Sequence, residues 1–273
     1  MRVAGYELPQ PATRNLQLEY MKVYFASDFH LGIDATKTSK ERERQLVRWL
    51  DKIKVDAAAI YLVGDLFFWF EYKRAVPKGY VRFLGKLAEL SDSGIPIYFF
   101  TGNHDMWMFR YFEEEFGIPT YRAPIVKDIK GKTFFIGHGD GKGPKDTGYK
   151  ILKKIFASQL CQWLFARLHP NFGIWLATTW VLKSKGKKPR PPRFYGMQHE
   201  WLYKYAIRKS KTVEADYFIF GHRHLPINTP LPNGKSRYIN TGDWLFHNSY
   251  AVFDGKEIKI EFFESELEEV FSD

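Results

Sequence analysis

Five short motifs carry side chains suited to holding metal ions: Asp28-Phe-His30, Gly64-Asp65, Gly102-Asn103-His104-Asp105, Gly137-His138-Gly139-Asp140 and Gly221-His222-Arg223-His224. Carboxylate and amide oxygens mixed with imidazole nitrogens are hard-to-borderline ligands. They suit manganese, iron or zinc, and unlike a thiolate zinc site they leave room for water. An aspartate has one oxygen for each of two ions, and Asp65 is the residue expected to bridge. Two cations about 3.5 to 4 Å apart are the arrangement that activates a water against phosphorus. The expected chemistry is therefore hydrolysis of a phosphoester assisted by two divalent ions, manganese first, with iron or zinc as alternatives.

Taken singly, each motif has a plainer meaning. Gly64-Asp65 is more often a turn that ends a strand, and His30 or His138 alone is more often a hydrogen-bonded core histidine. The set gains meaning from its placement. Lys22 to Ala26, Ala58 to Val63 and Ile97 to Phe100 are short apolar runs that read as buried strands. A motif follows each of them. The carboxyl ends of strands in an α/β sheet open on one crevice, where all five motifs can converge, and the glycines allow sharp turns there.

The elements between the motifs fit that sheet. Thr38-x-x-Glu41 is a capping box, followed by Leu46, Trp49, Leu50 and Ile53 at helical spacing; Val81, Leu84, Leu87 and Ala88 form a second stripe that stops near Gly94. After Tyr111 the pattern becomes strands without intervening helices: Ile125 to Ile129, Thr133 to Ile136, Tyr217 to Phe220, Arg237 to Thr241, Tyr250 to Phe253 and Ile258 to Phe263. Hairpins are expected at Lys130-Gly131-Lys132 and Asp254-Gly255-Lys256. The fold class is α/β (α+β), a two-sheet β-sandwich flanked by helices. Residues 1–140 and 209–273 form the core, and residues 141–208 form a helical, Trp-rich, basic insertion. Glu264 to Asp273 reads as a solvated terminal helix, Thr241-Gly242-Asp243-Trp244 as a turn near the last motif, and His169, His199 and His247 as structural or surface residues.

The net charge of +10 is confined to the insertion. Between Thr147 and His199 there is no Asp or Glu, and ten of the 41 basic residues lie there; the other 31 balance the 31 acidic residues. Interleaved with them, Phe156, Leu160, Trp163, Leu164 and Leu168 recur at helical spacing and lead into Phe172, Trp175, Leu176 and Trp180. One reading is a helical pair that buries this stripe against the main domain. The sharper one is an apolar cap over the crevice, with Trp163, Trp175, Lys183, Lys185, Lys187 and Lys188 meeting an acylated, phosphorylated substrate or an anionic membrane surface. No motif for reading nucleic acid accompanies the charge. The first 20 residues lack the apolar core of an export signal, and Cys161 is the only cysteine, both of which fit the cytoplasm. No apolar run reaches the roughly 20 residues that span a bilayer. Oligomeric state is left open.

The ordered motifs D-x-H, GD, GNHD, GH and GHRH resemble the calcineurin-like metallophosphoesterase superfamily over nearly the whole chain outside the insertion. That resemblance implies a first metal on Asp28, His30, Asp65 and His224 and a second on Asp65, Asn103, His138 and His222. It also implies that His104 stabilises the transition state or protonates the leaving oxygen, with Asp105 orienting it. Phe25-Ala-Ser-Asp28-Phe-His30-Leu-Gly, Gly64-Asp65-Leu-Phe and the position of the insertion are similar to the UDP-2,3-diacylglucosamine hydrolase family of lipid A synthesis, and Phe99 to Trp107 and Cys161 to Gly173 resemble its Bacteroidetes form. Such enzymes release UMP and 2,3-diacylglucosamine 1-phosphate from a nucleotide-linked lipid at the inner face of the membrane. Better-known members have Arg where this chain has His104. A phosphatase or phosphodiesterase for a soluble nucleotide or phosphoprotein is the alternative, needing the same metals but no cap.

Overall fold

A computed structural model describes residues 21–68, 71, 76–143, 155–156, 158–185 and 189–272. In chain order its elements are β1 (Lys22–Ala26), α1 (Ser39–Ile53), β2 (Ala57–Leu62), α2 (Val81–Asp92), β3 (Ile97–Phe100), α3 (Tyr111–Phe116), β4 (Thr120–Tyr121), β5 (Ile125–Ile129), β6 (Lys132–Ile136), α4 (Gln159–Phe165), α5 (Pro170–Lys185), α6 (Trp201–Lys209), β7 (Tyr217–Phe220), β8 (Pro226–Pro230), β9 (Arg237–Thr241), β10 (Ser249–Phe253) and β11 (Ile258–Phe262).

Two sheets form, in the orders β11-β10-β1-β2-β3-β4 and β5-β6-β7-β9-β8. Strands β1 to β4 are parallel, as are β6, β7 and β9, so the carboxyl ends of the motif-bearing strands share one edge. Alternation along β1 explains the layering. Val23 and Phe25 face the second sheet, where Phe25 stacks on Phe134 at 5.5 Å, while Tyr24 and Ala26 face α1 and α2. Those helices bury Leu46, Trp49, Leu50, Phe83 and Leu87 on the outer face of the first sheet. On the far side, α6 buries Leu202, Tyr203 and Ala206 against Phe218, Phe220 and Tyr238. The expected boundary at residue 208 thus falls inside a helix that packs on the core.

The capping box of α1 is present in full, with Glu41 N–H donating to Thr38 and Thr38 N–H donating to Glu41. Gly94 ends the second helix in left-handed backbone at φ +85°. Three elements were not expected: α3, β4 and β8. The first two are short, and β8 starts and ends on proline, which an edge strand tolerates because one face of its backbone needs no partner. The terminal helix expected from Glu264 onward is absent. Phe271 instead donates its N–H to Pro226 O at 2.8 Å, accepts from Asn228 N–H and packs on Phe194 at 4.8 Å, so pairing with the β8 edge holds this tail extended. Among the described residues no helix is long and apolar enough to cross a membrane.

Candidate metal centre

The loops that leave β1 and β2 are laced together before any side chain is considered. Asp28 N–H donates to Gly64 O at 3.0 Å, His30 N–H to Asp65 O at 3.0 Å and Leu31 N–H to Leu66 O at 2.9 Å. Asp28, His30, Asp65, His222 and His224 all have positive φ, between 45° and 67°. Non-glycine residues in this region cost on the order of 1 to 3 kcal/mol each, and such strain gathers where side chains must be aimed at a ligand. Glycine makes room beside them. A Cβ on Gly102 would stand 2.1 Å from Asp65 Oδ1, and one on Gly221 would stand 2.5 Å from Asp28 Oδ2.

Two donor groups result. In the first, Asp28 Oδ1 lies 3.5 Å from His30 Nε2 and 3.3 Å from His224 Nε2. In the second, Asp65 Oδ2 lies 3.4 Å from His138 Nε2, and the rings of His138 and His222 meet at 5.1 Å. Asp65 Oδ2 is also 3.9 Å from His30 Nε2, which puts this one oxygen between the groups, while Asp65 Oδ1 accepts from His104 N–H at 2.8 Å. Asp28 with His30 and His224, and Asp65 with His138 and His222, each converge closely enough to share an ion, and so do His30, Asp65 and His104, which straddle the two. The fit to cations has a further sign: Asp28 Oδ1, Asn103 Oδ1 and His138 Nε2 are buried without a hydrogen-bond partner. Buried polar atoms are almost always paired, so orphans at Asp28 and His138, each a member of a converging donor group, mark these groups as places for ions.

Supporting contacts set tautomers and directions. Asp243 Oδ2 faces His224 Nδ1 at 3.0 Å, its Oδ1 faces His247 Nδ1 at 3.1 Å, and Val63 O faces His138 Nδ1 at 2.8 Å. Ser27 donates to Asp28 Oδ2, whose other partner is the N–H of His222 at 2.8 Å. Burial opposes the charge on Asp65, but His138, His104 and His30 outweigh it and hold the carboxyl well below its usual range. Burial works against a proton on His138 too, yet Asp65 and Asp28 raise it to about 10. Burial lowers His222 to about 4, and the positive charge of His138 adds to that.

The third motif places His104 at the same centre, its Nε2 4.0 Å from Asp65 Oδ2 and its ring 4.4 Å from Phe68. Asp105 is buried beneath it, accepting from Gly102 N–H at 2.6 Å and Leu66 N–H at 2.7 Å. Its two oxygens tie together the backbones of the third-motif loop and the loop after β2. Burial, with Asp65 nearby, pushes Asp105 up to about 7.

Trp163 on α4 and Trp175 on α5 stand more than half exposed, in a face shared with Leu160, Leu164 and Phe172. The stripe is thus divided: these residues are exposed, while Phe156 packs on Trp107 of the main domain at 5.6 Å. Lys187 and Lys188 lie outside the described residues, and of Lys183 and Lys185 only the backbone, in α5, is described. The insertion grips two ligand loops. Trp107, three residues past His104, donates to Phe156 O at 2.9 Å and packs on Phe165 at 4.4 Å. Glu200 pairs in two bonds of 2.7 Å with Arg223, the residue between His222 and His224, and the Trp201 ring lies 5.8 Å from that of His222. Asp243 was missed as a supporting residue, although Thr241-Gly242-Asp243 repeats the pattern of a strand ending in glycine and aspartate.

Residues 21–226 match the family model described as calcineurin-like phosphoesterase. The chain is 40% identical over 254 residues to UDP-2,3-diacylglucosamine hydrolase of Porphyromonas gingivalis, covering 88% of this chain and 97% of that one. It is 28% identical over 259 residues to the enzyme of the same name from Aeromonas salmonicida, covering 88% and 93%. Strand-end motifs, convergent donors and these matches agree: the chain is a hydrolase that belongs to the calcineurin-like phosphoesterase family, whose fold implies divalent metal ions.

Proposed function

We propose that the protein cleaves the pyrophosphate of UDP-2,3-diacylglucosamine to UMP and 2,3-diacylglucosamine 1-phosphate, working in the cytoplasm at the inner surface of the membrane. The observation that carries the lipid half is the exposed apolar surface of α4 and α5, with α4 anchored through Phe165 to Trp107 on a loop that bears metal ligands. A soluble nucleotide gives such a face nothing to bind.

Asp28, His30, Asp65 and His224 would hold one divalent ion and Asp65, Asn103, His138 and His222 the second, with manganese the expected metal. Bound cations offset phosphoryl charge and make water a stronger nucleophile. His104, whose N–H donates to Asp65, would stabilise charge on phosphorus or give a proton to the departing oxygen, and Asp105 would orient it. Trp163 and Trp175 would line the path of the acyl chains. Lys183, Lys185, Lys187 and Lys188 would meet anionic phosphate at the membrane, where each basic residue contributes about 1 kcal/mol.

Purified protein incubated with manganese and UDP-2,3-diacylglucosamine should release UMP, and a chelator should stop the release. Turnover of a small phosphodiester without any UMP from the lipid substrate would reject this reading in favour of a soluble substrate.

A further inference from the structure

Arg42 is fully buried on the first turns of α1, and among the described residues no carboxylate lies within ion-pair distance of it. Its guanidinium is spent on main-chain carbonyls instead. Nε donates to Phe29 O at 2.7 Å, one terminal nitrogen donates to His30 O at 2.7 Å and also to Ile33 O, and the other donates to Lys37 O at 3.3 Å. A buried cation satisfied wholly by one loop is unusual, because buried charges are ordinarily paired with charge.

The identity of the first two carbonyls matters. Consecutive carbonyls of extended chain point to opposite sides, so a single planar fork cannot take both. Here the carbonyls of Phe29 and His30 meet the same guanidinium because the torsions between them, those of His30, are left-handed, with φ at 45°. The fork therefore selects the backbone state of His30 itself, the state that turns Nε2 toward Asp28 and His224. The capping box fixes the start of α1 and with it the root of Arg42.

We propose that Arg42 is a positioning residue for the first metal: its rigid fork holds His30 in the strained conformation that completes the Asp28, His30 and His224 group, and does little for the group around His138. This rests on the ligand assignment above. Lysine keeps the charge but presents a compact ammonium instead of a planar fork, so Arg42→Lys should behave like Arg42→Met if fork geometry is what matters.

The test is manganese uptake, followed by electron paramagnetic resonance of the chelated and reloaded protein, with melting temperature recorded alongside. Wild type should bind two ions and show the signal of a spin-coupled pair. In both variants the first ion should bind roughly 10- to 100-fold more weakly, the range for loss of a supporting contact to a ligand. The second site should keep its affinity, and the coupled signal should give way to that of isolated ions. First-site affinity within twofold of wild type in Arg42→Lys would overturn the inference, whatever the melting temperature. So would equal weakening of both sites, or loss of the fold in both variants, each of which makes Arg42 a general core residue. Failure of wild type itself to take up two ions would overturn the two-metal reading, and this inference with it.

Discussion

The Nε2 atoms of His30 and His224 face each other at 3.2 Å, with their rings stacked at 4.8 Å between centroids. Asp243 sits against the other nitrogen of His224, at 3.0 Å, and a carboxylate there keeps the proton on Nδ1. His224 Nε2 then points at His30 Nε2 and at Asp28 Oδ1, 3.3 Å away, the side on which a cation would be held. Asp243→Asn should weaken binding of the first ion about 10- to 100-fold, with the second little changed. A manganese titration that gives wild-type affinity at both sites would refute this role for Asp243.

Asp65 is the one ligand whose reacting oxygen lies between the two groups, 3.4 Å from His138 and 3.9 Å from His30. Asp65→Ala should lower kcat/KM further than alanine at any other ligand and should reduce metal content at both sites. Metal analysis that finds one full site in the variant would remove the bridging assignment.

His104→Ala should slow the chemical step by roughly 10² to 10⁴, the range for a positioned acid, while both ions stay bound. The ring lies 4.0 Å from Asp65 Oδ2, 5.1 Å from the His30 ring and 4.4 Å from Phe68, close enough to His30 and Asp65 to share an ion with them, so metal content separates the two roles. Loss of metal in this variant would make His104 a ligand instead.

His138 couples metal uptake to pH. In the metal-free protein, burial works against the charged ring, but Asp65 and Asp28 raise it to about 10, so at neutral pH it holds a proton that an ion at Nε2 must displace. Affinity at this site should therefore rise with pH and fall on acidification, and loading in weak buffer near neutrality should release about one proton from this group. The sign for stability is opposite. Because the folded value is raised from 6.5, the contribution of charged His138 to metal-free stability is full below about 6.5 and disappears as pH climbs through about 10. Metal affinity that does not change between pH 6 and 9 would contradict the coupling.

Trp163→Ala with Trp175→Ala should impair turnover of the acylated substrate more than turnover of a small chromogenic phosphodiester, since both rings stand exposed on the insertion. Comparing kcat/KM on the two substrates decides the point. Equal losses would indicate general destabilisation and would count against a lipid-binding face.

What could be read from the sequence divides along physical lines. Asp28, His30, Asp65, His138, His222 and His224 were legible because each sits where an apolar run stops at a glycine or an aspartate, and strand ends of a parallel sheet must meet. The capping box of α1 was legible because its residues lie three apart. Asp243 was harder, since its role depends on β9 lying next to β7, which no local pattern states. The extended tail was misread because acidic composition favours a solvated helix, whereas a single residue, Phe271, gains more by docking at β8. Nothing in the local sequence separates Arg42 from any other charge on a helix, and only the path of the loop around it sets it apart.

The main-chain bonds that join residues 28–31 to residues 64–66 involve no metal ligand atom. The cradle is consequently a product of folding, not of loading, in contrast to small zinc domains that stay unfolded until their ion arrives. A nascent chain can finish its sheets first and meet its cations later. Carboxylate and imidazole donors accept manganese, iron or zinc with affinities that rise along that series, so which ion would settle there depends on what the cell supplies when the protein is made as well as on the cradle.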